Sequence, residues 1–209
     1  MSDAARQTSD SENGFKNISI KTSQQPTLVL ETGKYYHFYN RSNNEESLFK
    51  KDQNYIFFLE RYRHYMEDSV STLAYCLMPT HFHFLIKIVT SDCAALKRNI
   101  AALLGGYTKA INETYNRHGS LLQPRSKARR IDDEFYLLTL ISYIHQNPVR
   151  AQLVKRMGEW QYSSYRDLTG LRNGSLPDRE FIMQHFQHLS DFQKYSEEMI
   201  TAVKKEFWI

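Results

Sequence analysis

Apolar positions along the 209-residue chain change their period several times, and each change marks an element. Tyr35–Tyr39 (YYHFY) is an aromatic run that predicts a strand, and Asn40–Glu46 follows with turn chemistry. From Asp52 to about Glu67, Tyr55, Phe58, Leu59, Tyr62 and Tyr65 or Met66 recur at i, i+3, i+4 and i+7, the spacing of an amphipathic helix, with Asp52 as its N-cap. Ser71–Met78 (STLAYCLM) reads as a buried strand. Pro79-Thr80 interrupts it, and His81–Ile88 (HFHFLIKI) alternates with period two. These two stretches predict adjacent antiparallel strands joined by a short turn. A second helix is expected from about Cys93 to Asn116, apolar at Leu96, Ile100, Leu103, Leu104, Tyr107 and Ile111, with Gly105-Gly106 marking a kink or a close contact. Leu121–Ile131 mixes extended character with a basic cluster of Arg125, Lys127, Arg129 and Arg130. A third helix should run from Asp133 to Asn147 and stop at Pro148, which lacks the N–H that continues a helix.

Residues 1–33, rich in Ser, Thr, Gln, Asn and Asp, are expected to form a flexible arm, with one short strand candidate at Thr27–Leu30. Residues 34–170 hold the core order strand, helix, strand, strand, helix, strand, helix. Without the last helix this is βαββαβ, the ferredoxin-like unit of the α+β class, an antiparallel sheet with helices on one face. Residues 171–209 should add a C-terminal helical extension.

Composition bounds the function. Hydrophobic residues make up 41% and charged residues 24%, the balance of an ordinary globular protein. The net charge of +4 is compatible with nucleic acid without requiring it. Two cysteines, Cys76 and Cys93, exclude a disulfide scaffold and a Cys-rich zinc site. The N-terminal segment has no apolar h-region, and no apolar run is long enough to cross a bilayer. A soluble, cytoplasmic protein is the expectation.

Two groups of residues carry candidate chemistry. His81 and His83 are i and i+2 on a strand and share one face, with their rings about 6–7 Å apart along the strand, close enough to share one metal ion. Phe82 and Phe84 would point the other way, into the helix-covered core. A half-exposed strand also carries histidines with no function at all. On the third helix, Tyr143 and Asn147 are i and i+4 and flank the apolar stripe of Leu137, Leu140, Ile141 and Ile144. From periodicity alone they read equally as a core-edge tyrosine and a helix-end asparagine.

Taken jointly and in this order, these segments resemble a known family. AYCLMPTHFHFLI from Ala74 resembles the His-hydrophobic-His signature of HUH single-strand nucleases. SYIHQNPVRA from Ser142 resembles the catalytic-helix signature of the single-tyrosine transposases. YHFYNR from Tyr36 and WQYSSY from Trp160 resemble further markers of the REP-associated tyrosine transposase branch. The resemblance covers roughly residues 34–167. It implies an enzyme that cuts and rejoins single-stranded DNA beside a hairpin of the repetitive extragenic palindrome kind. The attacking group would be a tyrosine that forms a 5′-phosphotyrosine, with a divalent metal, Mg²⁺ or Mn²⁺, as cofactor. Tyr143 then corresponds to the nucleophile, and His81, His83 and Asn147 to the metal ligands. The molecule would act as a monomer or a homodimer and not at a membrane. Thr80 stands where the family often has Asn, and His145-Gln146 where it often has Glu-Leu.

Other residues compete for these roles. His145 lies two positions from Tyr143 and should face away, as a surface or packing residue. Tyr107 and Tyr115 are rival nucleophiles by type, and the second helix makes them core or rim residues. Arg125, Lys127, Arg129 and Arg130, with Arg41, are candidate phosphate contacts; an edge strand also carries such charges against aggregation. Trp160 and Tyr162 could stack on bases, though packing onto the sheet or the tyrosine helix is the commoner fate. Two alternatives keep part of the picture: a hairpin-binding protein on the same fold without turnover, and a zinc hydrolase built on H-x-H.

Overall fold

A computed structural model describes residues 29–124 and 126–198. Four strands form one antiparallel sheet: β1 (Tyr35–Arg41), β2 (Val70–Met78), β3 (His81–Ile88) and β4 (Lys127–Ile131), in the order β2-β3-β1-β4. The helix α1 (Asp52–Met66) links β1 to β2, and α2 (Cys93–Thr114) links β3 to β4. This is the ferredoxin-like order expected from the sequence, with β1 and β3 at the centre. The strand candidate at Thr27–Leu30 begins outside the described residues; Leu30, within them, is buried but not in a strand.

Strand alternation sorts the core into two layers. Tyr36 and Phe38 of β1, with Phe82, Phe84 and Ile86 of β3, pack against Phe58 and Tyr62 of α1 and Leu103 and Tyr107 of α2. Fully burying each such side chain contributes about 1.5–3 kcal/mol. Cys76, Met78 and Leu85 project to the opposite side, where a third helix, α3 (Glu134–Arg150), lays Leu137, Leu140, Ile141 and Ile144 over them. The helices of the βαββαβ unit therefore cover one face and α3 covers the other.

Two boundaries differ from the sequence reading. The N-cap of α1 is Lys51 and not Asp52, because Asn54 Oδ1 accepts the amides of Lys50 and Lys51 at 3.0 and 3.1 Å and closes the turn one residue early. Of the two readings of the glycine pair, the close contact holds: a Cβ on Gly106 would run into the Arg61 guanidinium. The second difference is the end of α3, which continues through Pro148 to Arg150. Proline removes the N–H that would reach the carbonyl of Ile144. Asn147 Nδ2 replaces it, donating to Ile144 O at 3.3 Å and to Tyr143 O at 3.0 Å. The start of α3 follows the usual rule, with the Asp133 carboxylate accepting the amides of Phe135 and Tyr136.

The outer edge of β2 is covered. Leu77 N–H donates to Tyr162 O, Ser164 N–H to Tyr75 O, and Asp178 N–H to Thr72 O. The short helices α4 (Tyr165–Leu168), α5 (Arg179–Met183) and α6 (Leu189–Glu197) add Leu168, Phe181, Ile182 and Phe192 to the core under α3. Among the described residues, no helix is long and apolar enough to cross a membrane.

Candidate active site

The hairpin turn at Pro79-Thr80 starts β3 at His81, and the period-two pattern then puts His81 and His83 on the α3 face of the sheet. Their ring centroids are 5.1 Å apart, nearly perpendicular. His81 Nδ1 lies 3.1 Å from Thr80 Oγ1. His83 is 1% exposed, and its Nε2 has no hydrogen-bond partner among the described residues. Its Nδ1 lies 2.9 Å from Nε2 of His37, a fully buried residue of β1 whose ring meets it edge to edge, with centroids 5.1 Å apart and planes 6° from parallel.

All three imidazoles are held neutral. Burial pushes His81 down to about 4, with the Arg41 guanidinium adding to the effect. Burial and then the Arg129 charge push His37 down to about 3. His83 is driven well below the ordinary value by burial and by its two imidazole neighbours. At neutral pH each ring therefore keeps a lone pair, the form in which histidine binds a metal.

Tyr143 and Asn147 lie one turn apart on α3, the helix covering this same face. Tyr143 shares an apolar cluster with Cys76 and Met78, which sit opposite His83 and His81 in the β2–β3 register. The phenol is largely buried, and burial raises its pKa. Arg150 works in the opposite direction: its guanidinium lies 5.3 Å from the Tyr143 ring centroid. Asn147 has its amide nitrogen committed to the carbonyls of α3, which leaves Oδ1 as its remaining donor atom for a cation. Two imidazole nitrogens and one amide oxygen would make a neutral donor set for a divalent cation, and the unpartnered Nε2 of His83 fits a ligand role. Among the described residues, no group of three or more His, Cys, Asp or Glu is gathered to hold a metal by itself.

The basic candidates separate by strand parity. Arg41 pairs with His81, Lys127 with Tyr39 and Arg129 with His37 in the sheet register, so all three project from the histidine face. Arg129 Nε donates to the Tyr39 hydroxyl at 2.9 Å, and Lys127 Nζ lies 5.6 Å from the Tyr39 ring centroid. Arg41 has Glu45 at 3.8 Å. Arg130 is different: Glu31 and Asp132 each bind it at 2.6 Å. Arg125 lies outside the described residues.

The competing residues have packing roles. His145 is fully buried, with Nε2 2.8 Å from Ser164 Oγ and its ring edge-on to Tyr165 and Phe192. The Tyr107 hydroxyl donates to Leu48 O and the Tyr115 hydroxyl to Asn54 Oδ1, both in the α1–α2 layer. Tyr162 stacks on Tyr55 at 3.7 Å, and Trp160 Nε1 donates to Leu77 O. Sequence reasoning passed over His37 and Arg150. The signal for His37 was its parity with Tyr35 and Tyr39 in YYHFY; Arg150 stood inside the SYIHQNPVRA segment.

No family model matches the chain. A curated Haemophilus influenzae protein, provisionally named a REP-associated tyrosine transposase, is 28% identical over 102 residues, which is 45% of this chain and 58% of that protein. The match thus spans little more than half of the relative's length. A solved structure described as a REP-associated tyrosine transposase bound to a REP hairpin superimposes with a TM-score of 0.56 at 21% identity, covering 75% of this chain and 94% of that one. The resemblance read from the motifs is thus met by a relative of that name, and the fold is that of the solved transposase.

Proposed function

We propose that this chain cuts and rejoins single-stranded DNA beside a hairpin, with Tyr143 as the nucleophile and His81, His83 and Asn147 as the seat of Mg²⁺ or Mn²⁺. The supporting observation is the buried, unpartnered Nε2 of His83 on the sheet face that the Tyr143 helix covers. The hairpin substrate is carried over from the names of the similar proteins.

The chemistry follows from these groups. Tyr143 Oη attacks phosphorus and a P–Oη bond forms. The P–O3′ bond breaks in line with it, and the departing 3′ oxygen takes up a proton. The downstream strand is left as a 5′-phosphotyrosine, and a 3′-hydroxyl attacking that ester restores a phosphodiester without ATP, because the ester stays activated. The Arg150 charge favours the phenolate that attacks. Arg41, Lys127 and Arg129 draw the phosphate backbone onto the histidine face. The divalent cation, when bound, supplies positive charge at a non-bridging oxygen of the scissile phosphate.

Hairpin oligonucleotides labelled at the 5′ or 3′ end, incubated with the protein and Mn²⁺ and run on a denaturing gel, test this reading. A covalent adduct carrying the 3′-side fragment is expected, lost with Tyr143→Phe and with EDTA. An adduct that survives Tyr143→Phe overturns the assignment. Binding without an adduct across both metals and a range of hairpins would leave a non-catalytic hairpin-binding protein.

A further inference from the structure

We infer that Gln146 is a positioning residue: it links the Ser196 and Glu198 carbonyls at the end of α6 to the Arg150 guanidinium, and so holds that group against the Tyr143 ring. The inference rests for its purpose on the reading of Tyr143 as the nucleophile, while the link itself can be observed without DNA or metal.

Donor and acceptor chemistry fixes which way the Gln146 amide faces. A backbone carbonyl only accepts and a guanidinium only donates. Gln146 Nε2 donates to Ser196 O at 2.9 Å and to Glu198 O at 2.7 Å, and its Oε1 accepts from Arg150 Nη2 at 3.0 Å and Nε at 3.3 Å. Turning the amide over would set its oxygen against two carbonyl oxygens and its NH2 against the guanidinium. One orientation therefore serves all four contacts. The anchoring end is held in the core: Phe192 and Ser196 of α6 are fully buried, and Gln146 itself is 7% exposed. The arginine end is the one that needs holding. A long side chain in the last turn of a helix has many rotamers open to it, and it leans back over the preceding turns. Paired with Gln146 one turn back, Arg150 keeps its guanidinium 5.3 Å from the centroid of the Tyr143 ring, about two turns back. A Gln–Arg pair at i and i+4 is ordinary on an exposed helix face. This one differs because two backbone acceptors, 50 and 52 positions along the chain, grip the glutamine from the other side. The proposed attacking group thus has beside it a charge whose place depends on the docking of α6.

Measurements on the full chain decide the matter. Proton exchange of the Gln146 side-chain NH2, and cross-relaxation between Arg150 and the Tyr143 ring protons, are read by NMR without DNA or metal and report the link. Single-turnover adduct formation on a hairpin oligonucleotide with Mn²⁺ reports its effect. The wild type should show a slowly exchanging NH2 and an Arg150–Tyr143 cross-peak. Gln146→Met, which matches the side chain in length without its amide, should lose the cross-peak and form adduct about two- to tenfold more slowly. In an Arg150→Gln background the same substitution should slow the reaction no further, because Gln146 acts through Arg150. A wild-type protein with fast NH2 exchange or without the cross-peak overturns the inference. So does a folded Gln146→Met protein that keeps the cross-peak or the rate, and so does equal slowing in both backgrounds, the mark of a merely structural role. If Gln146→Met does not fold, the wild-type spectra decide. A chain with the slow NH2 and the cross-peak that forms no adduct on any hairpin sustains the link and sinks the nuclease reading instead.

Discussion

Two residues of α3 show how burial sets chemistry at the scale of one side chain. Burial raises the Tyr143 phenol above its ordinary value while the Arg150 guanidinium beside the ring lowers it. If Tyr143 attacks as its phenolate, the attacking form is a minority species at neutral pH, and adduct formation should climb from pH 7 to 9 without levelling. Removing the charge with Arg150→Gln raises the phenol further, and single-turnover adduct formation at pH 8 should fall about tenfold for each unit of that rise. An unchanged rate would remove Arg150 from the chemistry. His145 illustrates the stability side. Its pKa in the fold is pushed down to about 3 by burial, against 6.5 for a free imidazole. Below pH 6.5 the unfolded chain binds a proton that the folded chain does not, so stability is lost as pH falls from 6.5 towards 3 and is level above 6.5. One such group costs about 1 kcal/mol per pH unit. The amide of His145→Gln reaches towards Ser164 without titrating. The unfolding free energy from urea denaturation should therefore drop about 1 kcal/mol less between pH 7.5 and 5.5 in His145→Gln than in the wild type. Equal drops would mean that His145 is protonated within the fold.

At the scale of the element, α3 turns on a side chain doing the work of a missing backbone group. Asn147 Nδ2 serves the carbonyl that Pro148 leaves open. Asn147→Ala should cost about 1 kcal/mol of stability in the natural sequence and markedly less in a Pro148→Ala background, where the backbone N–H is restored. Chemical denaturation of the four proteins of that cycle gives the coupling, and additive effects would show that the substitution of one donor for another carries no energy. The same contact explains what the sequence hid. Proline as a helix stop is a rule about the backbone, and it misplaced the end of α3 because a neighbouring amide removes the penalty. β3 was legible to the residue, since alternation after a Pro79-Thr80 turn admits one register. The pairing of Tyr143 with Asn147 was legible as a helical spacing, whereas the roles proposed for them entered only through resemblance. His37 was not legible, because its partner lies 46 positions away and parity becomes informative only once β1 is known to pair with β3. Arg150 over Tyr143 is a seven-residue step along α3, beyond the i, i+4 neighbours that pattern reading weighs.

For the molecule as a whole, the sheet divides the labour between its faces. α1 and α2 bury one face in an aromatic core, and the other face gathers the histidines, the tyrosine helix and part of the positive charge. A net charge of +4 says little about DNA by itself. The distribution says more: Arg41, Lys127 and Arg129 project from the histidine face, whereas Arg130, one residue from Arg129, is neutralised by Glu31 and Asp132. Adjacent strand residues thus fall to different roles by parity alone. If single-stranded DNA lies along the histidine face, each cation that meets a phosphate releases a counterion, and the slope of log affinity against log salt should shallow by about 0.7 for each one removed. Hairpin binding measured across a salt series should show that change for Lys127→Gln and for Arg129→Gln. Arg130→Gln should leave the slope unaltered, because its carboxylate partners already hold the charge. A slope change for Arg130→Gln equal to that for Lys127→Gln would place the DNA across the sheet edge and not on the histidine face, and would separate the path of the DNA from the proposed site.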